Sequence, residues 1–393
     1  MKIYSHCSKQ PGCFHLSKRY FSRIKPIKDL EENILNMSQY QKATEFFENK
    51  DYKKASLYYR AVLHKKNLPY KEYHWKGIEH DWTESYKSNI FLCKLYDKTA
   101  YSYLYSDRRD ANDLFRFCLN LFNKDISFPL IVKYNLAQMI LKDTVQPEKN
   151  FTALKNDEDL TKEQRAIAKN NLAIILLRKY NEFLVKVKGD RSIIPEKYVH
   201  EYDQVLPFFK EAIKGFETSQ ERTEEETEIL NTLLNVTSIG PEDFYDHPDK
   251  AKFYDILNHP LSGISLTNIC EQIMIDKLWM EKKHTTFWFM VGLKYHEKHE
   301  TFLLAKHLSL LALYYNSQQN PTVSEKLLLR ALQIVEGRKD IHESFTKKIL
   351  GTVLMGDPER KSEADKYISE ALQIENQIVP WAGLLSRMNI PFV

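Results

Sequence analysis

Three clusters in the sequence hold residue types that ligate metals or carry protons. His296-Glu297-Lys298-His299 has the look of a zincin helix, in which two histidines at i and i+4 face one metal beside a glutamate base. Here the histidines are at i and i+3, so the spacing fails, and the cluster reads as a helix end in solvent. His74, Glu79, His80 and Asp81 show no regular spacing and read as a surface loop. His6, Cys7, Cys13 and His15 fit no usual zinc pattern. There is no P-loop, no glycine-rich dinucleotide motif and no nucleophile elbow. The sequence therefore leads to no catalytic residues, no metal site and no cofactor. Cys93, Cys118 and Cys270 lie in apolar helical contexts and read as reduced core residues.

The elements tell more than the clusters. Ser324 to Ile334, SEKLLLRALQI, returns forty residues later as Ala364 to Ile374, ADKYISEALQI. Aligning Ser324 with Ala364 puts Leu328 on Ile368, Ala331 on Ala371 and Leu332 on Leu372. Small, large and small residues recur at spacings of four and three, one face of a helix. A small residue at each end lets a neighbouring helix approach, and the large one fills the gap between them. Ala312 and Tyr315 supply a preceding helix, with Gln319, Asn320 and Pro321 as the turn. In the last copy Gly351 takes the place of Ala312, and Gly356, Asp357 and Pro358 form the turn.

This pattern resembles the tetratricopeptide repeat (TPR), a thirty-four-residue helix–turn–helix unit. The resemblance is strongest over 300–377. A similar unit covers Gln41 to Leu63, with Ala43 early, then Ala55, Tyr59 and Val62. A degenerate pair follows, over Tyr86–Ser106 and Asp110–Phe122, where Ala111, Phe115 and Cys118 are in phase. Two first helices in the middle share Asn-Leu-Ala: YNLAQMILKD from Tyr134 and NNLAIILLRK from Asn170, with Ala137 and Ala173 in the small position. The second is interrupted by Lys188–Lys197 and resumes with Val205, Phe209 and Ala212. Residues 240–263 break the periodicity with Pro241, Pro248, Pro260 and Gly263, and helices resume at Leu266, Thr285 and Phe302. Pro380, Trp381 and Leu384–Met388 read as a cap over the last repeat. The expected fold is all-α: a TPR-like solenoid of antiparallel helix pairs. Its parts are a basic extension (1–28), an N-terminal array (29–239), a connector (240–263) and a C-terminal array with its cap (264–393).

Composition agrees with a helical chain. Of 393 residues, 43% are hydrophobic, 28% are charged and only 11 are glycine, which suits folded helical repeats. No apolar run reaches the roughly 18–20 residues that cross a bilayer. Residues 1–28 carry seven lysines and arginines and no acid before Asp29. Cys13, Ser17, Tyr20 and Ile24 share one face of that segment. A basic, acid-free amphipathic segment is what a mitochondrial import signal looks like, and Arg19-Tyr20-Phe21-Ser22 resembles a processing site before Ser22. The formal net charge of +4 falls to zero without Lys2, Lys9, Lys18 and Arg19. A neutral body argues against nucleic acid as the direct partner.

The TPR resemblance implies a non-catalytic scaffold or adaptor that binds protein partners along a groove lined by first helices. Asn135, Asn170 and Asn171 precede the small alanines Ala137 and Ala173. At about 100° per residue, Asn135 and Asn171 lie roughly 200° from those alanines. The resemblance makes all three candidate partner-binding residues; the alternative is that they tie neighbouring helices together. Tyr40 and Thr44 stand where the carboxylate clamp of TPR co-chaperones has Lys and Asn, which speaks against a co-chaperone. Asn-Leu-Ala repeats joined to an import signal imply a mitochondrial role, in the matrix or at the inner membrane, as an assembly factor or accessory subunit of the respiratory chain or ATP synthase. The alternative is a helical-repeat component of the mitochondrial ribosome, or an RNA-associated factor.

Overall fold

The structure, a computed structural model, describes residues 27–66, 68, 87–187, 193–235, 250–280, 287–299, 301 and 303–388. Most of the basic extension, the His6–His15 and His74–Asp81 clusters and the first ten residues of the connector (240–249) lie outside these residues. Among the described residues every regular element is helical and none is a strand. The chain divides into two compact units, residues up to 146 and residues 147–389.

The first unit contains α1 (Ile27–Leu35), α2 (Ser38–Glu48), α3 (Tyr52–Lys65), α4 (Ile90–Tyr103), α5 (Arg108–Leu121) and α6 (Lys124–Ile140). Each of α2 to α5 packs on its successor, and α4 also packs on α6. The positions read as small–large–small are in these contacts: Ala43, Ala55, Tyr59 and Val62, and then Ala111, Phe115 and Cys118, are all fully buried. Tyr40 and Thr44 belong to an aromatic layer. The Tyr40 ring meets Tyr59 edge-on, and the Thr44 hydroxyl lies 3.4 Å from the Tyr59 hydroxyl. The Lys133 ammonium and the Asp97 carboxylate form an ion pair inside this unit, with both side chains buried. Helix α7 (Val145–Leu154) begins at the boundary.

The second unit continues with α8 (Lys162–Lys186), α9 (Glu196–Asp203), α10 (Val205–Glu217), α11 (Glu224–Asn235), α12 (Lys250–Asp255), α13 (Ser262–Met280), α14 (Phe287–Lys298), α15 (Leu304–Ser317), α16 (Pro321–Val335), α17 (Ile341–Leu354), α18 (Lys361–Glu375) and α19 (Ala382–Leu385). Its pairs are α8 with α10, α15 with α16 and α17 with α18, and alternate helices also touch: α13 packs on α15, and α15 on α17. Ala312, Leu328, Leu332, Leu350, Val353, Leu354 and Ala364 form one apolar cluster across α15 to α18. Gly351 lets α18 come close, since a methyl group there would stand 2.9 Å from the Ala364 carbonyl oxygen.

One turn recurs. At the ends of α2, α6 and α15 the chain passes through Lys50, Lys142 and Gln319, each in the left-handed region at φ between 60° and 68°. In each case the next residue donates its amide to a carbonyl five residues back: Asp51 to Phe46, Asp143 to Gln138 and Asn320 to Tyr315. Those same residues then use their side chains to accept from amides at the start of the following helix. An acceptor there satisfies a donor that the first helical turn leaves open.

The connector's described part is fixed to the second unit. The Glu217 carboxylate, at the end of α10, accepts from the amides of Asn258 and His259 and from the Ser262 hydroxyl, and pairs with Arg222. A buried carboxylate with these donors anchors the chain just before α13. That is why α13 starts at Ser262, four residues before the sequence pattern resumes.

Candidate functional site

Helix α13 is an apolar helix with a polar stripe. Ser265, Asn268, Gln272 and Asp276 follow one another at three- and four-residue spacing and are all buried. Helices α8 and α15 flank this stripe, and three groups of contacts cross it.

The first centres on Asn170 of α8. Its amide nitrogen donates to the Asn171 side-chain oxygen at 3.2 Å and to the Arg387 carbonyl at 3.3 Å. Its amide oxygen accepts from the Ser265 hydroxyl at 2.9 Å and from the Asn268 amide at 3.2 Å. A primary amide offers two donors and two acceptor sites, so all four capacities of Asn170 are filled from within the chain. Asn268 also donates to the Arg387 carbonyl at 2.9 Å. Two amides from two helices thus cap one backbone carbonyl just beyond the end of α19.

The second is ionic. Glu271 of α13 pairs with the Arg387 guanidinium and lies 3.3 Å from the Lys306 ammonium of α15. Burial pushes the Glu271 carboxyl up, but Arg387 and Lys306 outweigh it and hold the group below the usual range. Burial lowers the Lys306 pKa, and the partial compensation comes from Glu271. His342 of α17 is pushed down to about 4, by burial first and then by the Lys306 charge.

The third is a set of buried imidazoles. His296 of α14 lies 3.0 Å from the Thr267 hydroxyl and 2.5 Å from that of Thr301. His307 of α15 lies 2.8 Å from the Phe289 carbonyl. Burial pushes His307 down to about 4 and His296 well below its ordinary value. His296 was read as part of a solvent-facing helix end; it is instead fully buried, because the α13 and α15 faces close over it. Among the described residues no three His, Cys, Asp or Glu side chains converge as a metal site requires.

The chain matches no family model and no curated protein.

The three asparagines singled out in the sequence fall in different places. Asn135 is on α6 of the first unit, whereas Asn170 and Asn171 are on α8 of the second, and all three are fully buried. The face two residues before the alanine is therefore covered. At Asn170 the geometry is that of a residue tying helices together. Ser265, Asn268, Glu271, Lys306 and Arg387 complete the arrangement and were not singled out from the sequence. The signal for the first three was present: polar residues at helical spacing in an otherwise apolar stretch. The sequence expectation for the C-terminal segment is a cap over the last repeat; within it Arg387 bonds to α8 and α13, whose amides and Glu271 supply partners for both its carbonyl and its guanidinium.

Proposed function

We propose that this chain is a non-catalytic, TPR-like α-α solenoid that acts as a scaffold or adaptor for other proteins. The observation that carries the reading is repetition: small residues buried at four-and-three spacing in successive helix pairs, and one turn geometry repeated at the ends of three helices. Repeated helix pairs present extended surfaces, and such surfaces serve binding more readily than chemistry. The buried ionisable groups described above have structural partners. The Cys270 thiol lies 4.0 Å from the His307 imidazole, but it is fully buried and burial pushes the thiol up, which disfavours the thiolate. Among the described residues no helix is long and apolar enough to cross a membrane.

The setting we propose is the mitochondrion, with the chain an assembly factor or accessory subunit of a respiratory-chain or ATP-synthase complex. The support is the basic, acid-free residues 1–28. A fluorescent protein carrying only that segment should enter mitochondria, and a diffuse cytosolic signal would refute the address. Affinity purification of the tagged full chain from mitochondria, followed by mass spectrometry, tests the partner class. Respiratory or ATP-synthase subunits support the preferred reading, ribosomal proteins move it to the alternative, and a small-molecule turnover without protein partners removes both.

A further inference from the structure

The segment that closes over α8 and α13 has the pattern of a docked ligand. Trp381, Leu384, Leu385 and Met388 stand at i, i+3, i+4 and i+7, the spacing by which an amphipathic helix sets its anchors into a groove. Trp381 and Met388 are buried. The segment is only a helical turn, α19 with its flanks, and one turn is marginal without a surface to hold it. The surface holds it by its end: Asn170 and Asn268 cap the Arg387 carbonyl, and Glu271 takes the Arg387 guanidinium.

The grip is incomplete. The Asn268 side-chain oxygen is buried and accepts no hydrogen bond, and the Arg387 Nε donates none. Buried acceptors left open cost free energy that a better-matched occupant would recover. The Arg387 side chain is 33% exposed, so its pair with Glu271 is partly screened by solvent. The contact spans 217 residues of sequence from Asn170.

We propose that residues 381–388 are an intramolecular ligand, a detachable helical turn that covers the polar face of α8 and α13 and yields it to a partner helix. The partner is a protein segment of the same chemistry: an amphipathic helix with an aromatic or aliphatic residue at each anchor position and an arginine immediately before the last. This inference rests on the scaffold reading for the existence of a partner. The occupancy of the face by the segment is testable without one.

Two measurements on the full chain test it. Hydrogen exchange of the wild-type protein should show the amides of 384–388 exchanging at least tenfold faster than those of the α13 interior. Equal protection would make the segment a fixed part of the core and overturn the proposal. The second uses Arg387→Glu, which sets a carboxylate against Glu271 and should release the segment. A fluorescent peptide of residues 380–393 should then bind this variant at least tenfold more tightly than wild type, in which the tethered copy competes at high effective concentration. Adding Asn268→Ala should weaken peptide binding several-fold. No peptide binding to a folded Arg387→Glu chain, equal binding to wild type, or loss of cooperative melting in that variant would each overturn the proposal. If exchange and peptide binding behave as expected but no cellular partner is found, the scaffold reading fails and the detachable segment stands.

Discussion

Replacing Gly351 with alanine sets two effects against each other. In the interior of α17, Gly→Ala removes the entropic cost of glycine and would stabilise by about 1 kcal/mol if the space were open. The space is not open. The new Cβ would lie 2.6 Å from Ile368 Cγ1 and 2.9 Å from the Ala364 carbonyl oxygen. Ile368 is a side chain and can turn aside. Ala364 O is the backbone of α18, and moving it means moving the helix that packs on α17. Overpacking of this kind costs about 1–3 kcal/mol, so it matches or exceeds the propensity gain, and destabilisation is the expected sign. For a unit of this size each kcal/mol lowers Tm by roughly 2–4 °C. Thermal and urea melts of Gly351→Ala should show a lower midpoint. Gly383→Ala, where nothing lies within 4 Å, should melt like wild type or slightly higher. Combining Gly351→Ala with Ile368→Ala should not restore a wild-type midpoint, because the carbonyl contact persists. A rise in Tm for Gly351→Ala would show that α17 and α18 pack less closely than described and would refute the repeat alignment at this position.

Lys133→Met leaves the Asp97 carboxylate buried without its partner and should destabilise the first unit by about 3–5 kcal/mol, while Lys133→Met with Asp97→Leu should recover most of that in a urea melt. Acid should weaken the second unit. His296, His307 and His342 resist protonation in the folded chain, the latter two down to about 4, whereas the unfolded chain takes up these protons near 6.5. The unfolded state thus binds more protons below pH 6.5, and each histidine removes roughly 1.4 kcal/mol of stability per pH unit from there towards pH 4. Urea midpoints should hold steady from pH 8 to 7 and drop between pH 6.5 and 4.5; a flat profile across the lower range would contradict the burial of these imidazoles. Asn135→Ala with Asn171→Ala should lower thermal stability and partner co-purification in proportion, since both side chains are buried. Lost co-purification with unchanged melting would return these residues to a direct binding role.

Much of the local structure was legible in the sequence because it depends on neighbours within a helix pair. Ala331, Ala364 and Ala371 are fully buried, as their spacing requires. The aligned leucines part company: Leu332 is buried, while Leu372 is 47% exposed, because α16 packs on the following α17 whereas the short α19 makes no comparable packing on α18. A pairwise alignment cannot register that difference. Helix bounds were legible to within a turn at α5, whereas α4 is seven residues shorter than the expected Tyr86–Ser106, and α13 begins earlier than its apolar pattern, where Glu217 captures the preceding amides from forty residues away. The candidate site was least legible. The helical phase put Asn171 away from Ala173, and that much is arithmetic. Whether that face is open depends on what covers it, and Asn170 beside it is covered by Arg387, from the other end of the second unit.

The central claim is that this protein works by holding other proteins. The most direct measurement is native separation of gently solubilised mitochondria, with the untagged chain detected by antibody and the co-migrating proteins identified by mass spectrometry. The account predicts migration well above the 46.5 kDa of the single chain, in one peak with subunits of a respiratory or ATP-synthase complex or its assembly intermediate. Migration at the mass of the chain alone, with no protein following it across fractions, would contradict the account.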